Sequence, residues 1–209
     1  MSDDASALPR RNRRVRPTRE QMLDAAVESL ASGDPEAAST IRIAAAIGGS
    51  WGTIKYHFGD IDGLWAALLR HIAKRRGALP GPADAARSTT RDRVHDIVEQ
   101  IYRGLAGPDW RAVENLRSVL PRERAELAEH YPQTANELSS WAPNWTQACR
   151  RAFADLDVDP DRVDHVAAFL PGALSGLLAE EQRGGISVDL GGGRLGLAEA
   201  ITAYLEHSG

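Results

Sequence analysis

The sequence predicts an all-α protein with a small N-terminal domain and a larger C-terminal domain. Apolar residues recur at helical spacing through most of the 209 residues, and no segment shows a convincing strand alternation. A Gly-, Pro- and Ala-rich segment at 77–86 separates the two parts. The hydrophobic content of 43% and the charged content of 26% are those of an ordinary globular protein. We therefore expect two packed helical domains.

Composition argues against several other classes of protein. No run approaches the ~18 apolar residues of a membrane span. The N-terminus is polar and Arg-rich and lacks the apolar core of a secretory signal. The single cysteine, Cys149, excludes an internal disulfide. These features predict a cytoplasmic protein.

Charge is distributed unevenly along the chain. The net charge of −4 combines +3 in residues 1–78 with −7 in residues 79–209, and six arginines lie in residues 10–19 without an acid. A basic block ahead of a small domain favours a polyanionic partner. We predict that residues 1–17 form a disordered arm in which Arg13, Arg14 and Arg16 contact nucleic acid.

The first two helices of the N-terminal domain follow from caps and periodicity. Thr18 is a good N-cap for a first helix that ends near residues 32–35. A second helix is predicted over residues 40–47, with Thr40 as candidate N-cap. Its inward face is predicted to consist of Ile41, Ala44, Ala45 and Ile47.

Two further helices follow a glycine break at residues 48–49. Ser50 can cap a third helix that runs to Phe58, and Asp60 can cap a fourth that ends among the cations at 74–76. Two short helices joined through a tight Gly-containing turn are typical of a helix-turn-helix, whose second helix enters the DNA major groove.

The third predicted helix has an unusual composition for such a chain. Ile54 and Phe58, an i,i+4 pair, would anchor it to the core, and Gly52 permits close approach. Its outward and leading face would present Ser50, Trp51, Thr53, Lys55, Tyr56 and His57. A face of this kind suits a recognition helix.

Residues 18–72 resemble the DNA-binding domain of TetR-family transcriptional regulators. The family's first helix begins T-R and continues to A-A, as residues 18–26 do. Its helix-turn-helix ends in G-V-S-x-G-T-L/I-Y-x-H-F, which residues 48–58 follow closely as GGSWGTIKYHF. The remaining chain resembles the family's effector-binding and dimerisation domain in architecture. The resemblance therefore implies three N-terminal helices, a fourth connecting helix and a larger helical domain at 78–209.

The resemblance also implies the function and the residues that serve it. We expect a dimeric, sequence-specific DNA-binding repressor released by a small, mostly apolar effector. The resemblance implies that the DNA contacts are Thr40, Ser50, Thr53, Lys55, Tyr56 and His57, and Trp51 lies on the same face. We assign phosphate contacts to Lys55, His57, Thr40 and Thr53. We assign base contacts to Ser50, Trp51 and Tyr56. The chain departs from the pattern at Gly49, Lys55 and Ile61, where an apolar residue, a tyrosine and a lysine are usual.

The C-terminal part predicts only helices, at about 88–106, 109–130, 133–155, 160–183 and 194–207. Pro121, Pro143 and Pro171 should kink or split them. In this part, aromatic and amide side chains are candidates for an effector pocket, namely Trp110, Asn115, Tyr131, Trp141, Trp145 and Phe169. The alternative for each is a place in the core or an interface.

The last two helices are expected to form the homodimer by packing as a four-helix bundle with a second copy. Residues 185–190 are predicted to be loop, and Gly191–Gly193 a flexible connection. A dimer would bind a near-palindromic operator with two recognition helices.

Two other functions compete with this hypothesis. Gly49 and Ile61 would suit a helical ligand-binding or scaffold protein without specific DNA binding. A helical-bundle enzyme is disfavoured because the six histidines are scattered and no catalytic or metal-ligand spacing is present. We predict no enzyme activity, no metal and no cofactor.

Overall fold

A computed structural model describes residues 17–34, 36–81, 89–183 and 190–207. These residues form helices and no strand, which confirms the all-α prediction. The helices are α1 (Arg19–Ala31), α2 (Thr40–Ala46), α3 (Trp51–Phe58), α4 (Ile61–Arg75), α5 (Thr90–Ala106), α6 (Pro108–Val119), α7 (Arg124–His130), α8 (Pro132–Ala152), α9 (Pro160–Arg183) and α10 (Leu190–Glu206). The predicted arm, with Arg13, Arg14 and Arg16, lies outside the described residues. The loop predicted at 185–190 also lies outside them except for Leu190, which begins α10.

Most of the predicted helix caps of the N-terminal part are present. Thr18 begins α1 in a reciprocal capping box with Gln21. Asp60 begins α4 by accepting a hydrogen bond from the Gly63 amide at 2.7 Å. The prediction for α2 was wrong by one residue, because the cap is Ser39, whose hydroxyl accepts from the Arg42 amide, and Thr40 is the first helical residue.

One core holds the N-terminal helices together and includes a helix from much later in the chain. Leu30, Ile43, Ile54 and Leu68 are fully buried in it. Helix α6 joins the same cluster through Ala112, Val113 and Leu116, each of them fully buried. The helix-turn-helix is thus supported by α1, α4 and α6 together.

A second core lies between α5, α8, α9 and α10. Arg93 on α5 is buried there, and its guanidinium donates to the Ala152 carbonyl and pairs with Asp155 at 3.2 Å. Because the carbonyls of the last helical turn lack intrahelical donors, Arg93 completes the C-terminus of α8. This contact fixes the end of α8 against α5.

The prolines and glycines of the C-terminal part behave differently from one another. The helix predicted at 109–130 is split around Pro121 into α6 and α7, whereas α8 and α9 continue through Pro143 and Pro171. The prediction of a flexible connection at Gly191–Gly193 was wrong, because these residues belong to α10. An added Cβ on Gly193 would lie 3.3 Å from the Leu177 side chain, so this glycine permits close packing of α10 on α9.

Candidate DNA-binding site

Helices α2 and α3 form a helix-turn-helix with a buried inner face. The turn passes through Gly48, whose φ of +71° favours glycine, and the Gly49 amide donates to the Ala44 carbonyl at 3.0 Å. Ile54 is fully buried and Phe58 is 8% exposed, so this pair anchors α3 as the sequence predicts. The anchored face leaves the opposite side of α3 to solvent.

The outward face of α3 carries large aromatic side chains and a cation. Tyr56 is 84% exposed and Trp51 is 47% exposed, so neither belongs to the core. Lys55 and Ser50 are also exposed, and Thr40 lies exposed at the start of α2. Exposed aromatics of this size are uncommon on a solvent-facing helix and indicate a contact surface.

Two of the predicted contact residues are partly engaged within the protein. The Ser50 amide donates to the Thr53 hydroxyl at 3.1 Å, so Thr53 helps to begin α3. His57 is partly buried, and its ring meets the Tyr56 ring edge-on at a centroid distance of 4.8 Å. Thr53 and His57 therefore also help to hold the exposed face of α3 in place.

Glycine at position 49 leaves the space that Thr53 occupies. A Cβ added at Gly49 would lie 2.5 Å from the Thr53 hydroxyl oxygen. The Thr53 side chain thus fills the space that a side chain at position 49 would otherwise occupy.

Ile41 corrects one prediction and extends the surface. The sequence analysis placed Ile41 inward, but its side chain is 82% exposed, while Ile43 is fully buried. Residues two apart on a helix point about 200° apart, so the burial of Ile43 and Ile47 directs Ile41 outward. A helical projection of residues 40–47 would have placed Ile41 on the exposed side of α2, where it is a candidate DNA contact.

The junction between α3 and α4 is tightly closed. Gly59 ends α3 with a φ of +85°, and Asp60 then caps α4. A Cβ on Gly63 would lie only 2.0 Å from the Phe58 carbonyl oxygen. The position of α3 is therefore coupled directly to that of α4.

Helix α4 is joined in turn to α8 at its beginning and middle. Asp62 is buried and accepts from the Gln133 and Thr134 amides at 2.9 and 2.8 Å, and the Thr134 hydroxyl donates to the Asp62 carbonyl. Since no side chain next to α8 in sequence caps it, Asp62 supplies the N-terminal cap from another helix. Arg70 pairs with Glu137 further along, at 3.0 Å.

The end of α4 is held by two tryptophans. The Arg76 guanidinium carbon lies 4.3 Å from the centre of the Trp141 ring and 5.4 Å from that of Trp110. This loss of water lowers the pKa of Arg76 from its ordinary value, although the residue as a whole remains exposed. Together with Asp62 and Arg70, these contacts attach α4 to α6 and α8 over its whole length.

The predicted effector residues lie in several different places. Trp110 and Trp141 flank Arg76, whereas Trp145 donates its indole N–H to the Ala167 carbonyl at 2.7 Å in the second core. Asn115 donates to the Leu30 carbonyl at 2.5 Å. Tyr131 lines an open groove beside α4 and α7, and Phe169 is 43% exposed on α9. The structure does not bring the six residues into one pocket.

Residues 22–68 match the sequence family described as bacterial regulatory proteins, tetR family. The N-terminal domain is a tetR-family domain. This match confirms the predicted relationship to TetR-family regulators and makes the helix-turn-helix of α2 and α3 a DNA-binding unit of that family. No curated protein sequence shows significant similarity to the chain.

Solved structures resemble the chain in fold over nearly its whole length. A Rhodococcus sp. protein described as a TetR-family transcriptional regulator is 21% identical and has a TM-score of 0.58, covering 90% of this chain and 97% of its own. The multidrug binding protein EbrR, solved with imidazole, is 21% identical with a TM-score of 0.59, covering 91% and 90%. The fatty acid degradation regulator FadR from Bacillus halodurans is 16% identical with a TM-score of 0.53, covering 90% and 96%. At these identities the likeness shows the fold.

The parts of the chain that the structure describes include several long helices and the cysteine Cys149. Across these parts, no helix is both long and apolar enough to span a bilayer. Burial, assisted by Asp164, raises the pKa of Cys149 to about 12, so this thiol stays protonated at neutral pH.

Proposed function

We propose that the protein is a dimeric, sequence-specific transcriptional repressor that a small, mostly apolar effector releases from DNA. The observation that carries this proposal is the anchored helix α3, which presents Trp51, Lys55 and Tyr56 outward on a tetR-family helix-turn-helix. Such a protein would act in the cytoplasm, where bacterial DNA lies.

The proposed DNA contacts are of two kinds, to phosphates and to bases. Lys55, His57, Thr40 and Thr53 would contact phosphates, which fix the register of α3, and Ser50, Trp51 and Tyr56 would contact base edges, which specify sequence. Ile41 is added to the reading set, since an exposed apolar side chain at this position suits a thymine methyl group. Arg13, Arg14 and Arg16 would add contacts to the DNA backbone from the N-terminal arm.

The contribution of Lys55 can be tested by its replacement with alanine. Removal of one phosphate-pairing charge is expected to weaken binding by about tenfold on every duplex and to lower the salt slope by about one unit. The measurement is fluorescence anisotropy with a DNA duplex at several salt concentrations.

Lys74→Ala provides the matched control for this charge. Lys74 is exposed in the last turn of α4, about 20 Å along that helix from α3, and its loss should leave the affinity and the slope unchanged. Equal salt slopes for Lys55→Ala and the wild type would show that Lys55 does not contact phosphate.

The proposed dimer surface lies on α9 and α10. Phe169 and Leu195 are 43% and 53% exposed, and the Cβ positions of Gly172, Gly176 and Gly196 meet no atom within 4 Å. Small residues beside exposed apolar ones permit two helices to approach closely. A two-fold dimer through this face would present two α3 helices about one DNA turn apart, roughly 34–36 Å.

Phe169→Glu is expected to shift the protein from dimer to monomer in sedimentation velocity, because a carboxylate would be desolvated at the interface. Ala128→Glu, an exposed apolar-to-acidic change on α7, should leave the dimer intact. A Phe169→Glu variant that sediments as the wild-type dimer would place the interface elsewhere.

A further inference from the structure

The second core has no space for an effector as it stands. Its enclosed cavity, lined by Val98, Cys149, Phe153 and neighbouring apolar residues, is about 10 Å³. That volume is comparable with what one water molecule requires. Trp145, a predicted effector residue, instead has its indole hydrogen bonded to Ala167. An effector bound inside this core would first have to open it.

A larger, open space lies instead where the two parts of the chain meet. An open groove of about 560 Å³ runs between the first turn of α4, the α6–α7 connection and the start of α8. Small-molecule sites in proteins have mainly apolar walls and a few polar groups that orient the ligand. The apolar walls here are Ile61, Val119, Leu120, Pro121 and Tyr131.

The groove carries a carboxylate beside its apolar walls. One wall carries Glu126 and His130. His130 Nδ1 lies 3.0 Å from the Glu126 carbonyl, and since a carbonyl can only accept, Nδ1 carries the proton. The Glu126 carboxylate is an acceptor that carries a negative charge. A ligand with a positive charge complements this carboxylate, and the Tyr131 ring favours a cation further.

The groove touches both sides of the joint between α4 and α8. Ile61 immediately precedes Asp62, and Tyr131 immediately precedes the first residue of α8. The Asp62 carboxylate holds the Gln133 and Thr134 amides at 2.9 and 2.8 Å. A molecule that moves the groove walls apart or together therefore changes the Asp62 contacts between α4 and α8. Because α4 is joined closely to α3, such a change also alters the position of α3.

We propose that this groove is an effector site, that its ligand is an apolar molecule carrying a positive charge, and that the ligand acts through the Asp62 contacts with α8. The inference rests on the proposed regulation by an effector. Occupation of the groove changes DNA affinity only in so far as the ligand binds the two arrangements of α4 and α8 with different affinity.

The ligand class is tested by calorimetry on the full-length protein without DNA. Tetraphenylphosphonium and tetraphenylborate have nearly the same shape and opposite charge. The cation is expected to bind, with the anion at least about tenfold weaker. Glu126→Gln should weaken cation binding about tenfold, whereas Glu129→Gln, the same change at an exposed position on α7 outside the groove, should not. Equal binding of both ions, or equal effects of the two variants, would overturn the proposed site.

The coupling is tested by anisotropy on a duplex that the wild type binds. The cation is used at a concentration that calorimetry shows to saturate each protein. Tetraphenylphosphonium should then lower DNA affinity at least about tenfold in the wild type and in Asp96→Asn, an exposed change on α5, whereas Asp62→Asn should lose most of this effect. A wild-type DNA affinity that the cation does not change would overturn the coupling. Failure to bind any DNA would instead overturn the proposed function, and the calorimetric result would still decide the site.

Discussion

Replacement of Gly63 by alanine is expected to destabilise the protein by about 3 kcal/mol and to abolish DNA binding. The added Cβ would lie 2.0 Å from the Phe58 carbonyl oxygen, a backbone atom that cannot move without displacing the end of α3. The Asp60 carboxylate, which caps α4 through the Gly63 amide, lies 3.4 Å from the same Cβ. Urea unfolding followed by circular dichroism measures the loss of stability.

Gly104→Ala is the control for this substitution. Gly104 lies in α5 with no atom within 4 Å of an added Cβ, so alanine should stabilise the helix by about 0.5–1 kcal/mol. The two substitutions add the same methyl group, but the expected changes in the free energy of unfolding have opposite signs. A Gly63→Ala protein as stable as the wild type would refute the close α3–α4 junction.

Asp62→Ala is expected to destabilise the protein by about 2–4 kcal/mol. It removes a buried carboxylate that accepts from the amides of Gln133 and Thr134. The buried Thr134 amide left without a partner costs about 1–3 kcal/mol, and the partly buried Gln133 amide adds to this loss. Asp62→Asn keeps one acceptor oxygen and should lose about half as much. Unfolding in urea gives the magnitude.

Hydrogen exchange shows which part of the protein is destabilised in Asp62→Ala. Hydrogen exchange in Asp62→Ala should accelerate first at the beginning of α8, because this end lacks a cap of its own. Asp96→Asn, at an exposed position on α5, should change neither stability nor exchange. Unchanged protection at Gln133 and Thr134 in Asp62→Ala would show that Asp62 does not cap α8.

Local features of this chain were predictable because they depend on neighbouring residues. The caps at Thr18 and Asp60, the glycine turn and the Ile54–Phe58 anchor all involve residues within four positions of one another. The errors at α2 have local causes too. Adjacent Ser39 and Thr40 are both good caps, and a run of Ala and Ile hides which side faces the core.

Contacts between distant positions were not predictable from periodicity. Asp62 and Thr134, whose pairing caps α8, are 72 positions apart in the sequence. Trp141 and Trp145 share one helix face, as their spacing predicts, yet Trp141 packs against the first core and Trp145 against the second. Helix α8 contacts both cores, so its two tryptophans pack in different places. Their spacing of four residues therefore could not show whether they line the same pocket.

The most direct test of the central claim is selection of duplexes from a random DNA library by the full-length protein. We predict enrichment of a near-palindromic motif with half-sites about one helical turn apart, bound about a thousandfold more tightly than its shuffled sequence. A selection that enriches no motif, with equal and steeply salt-dependent binding of all duplexes, would contradict sequence reading by α3.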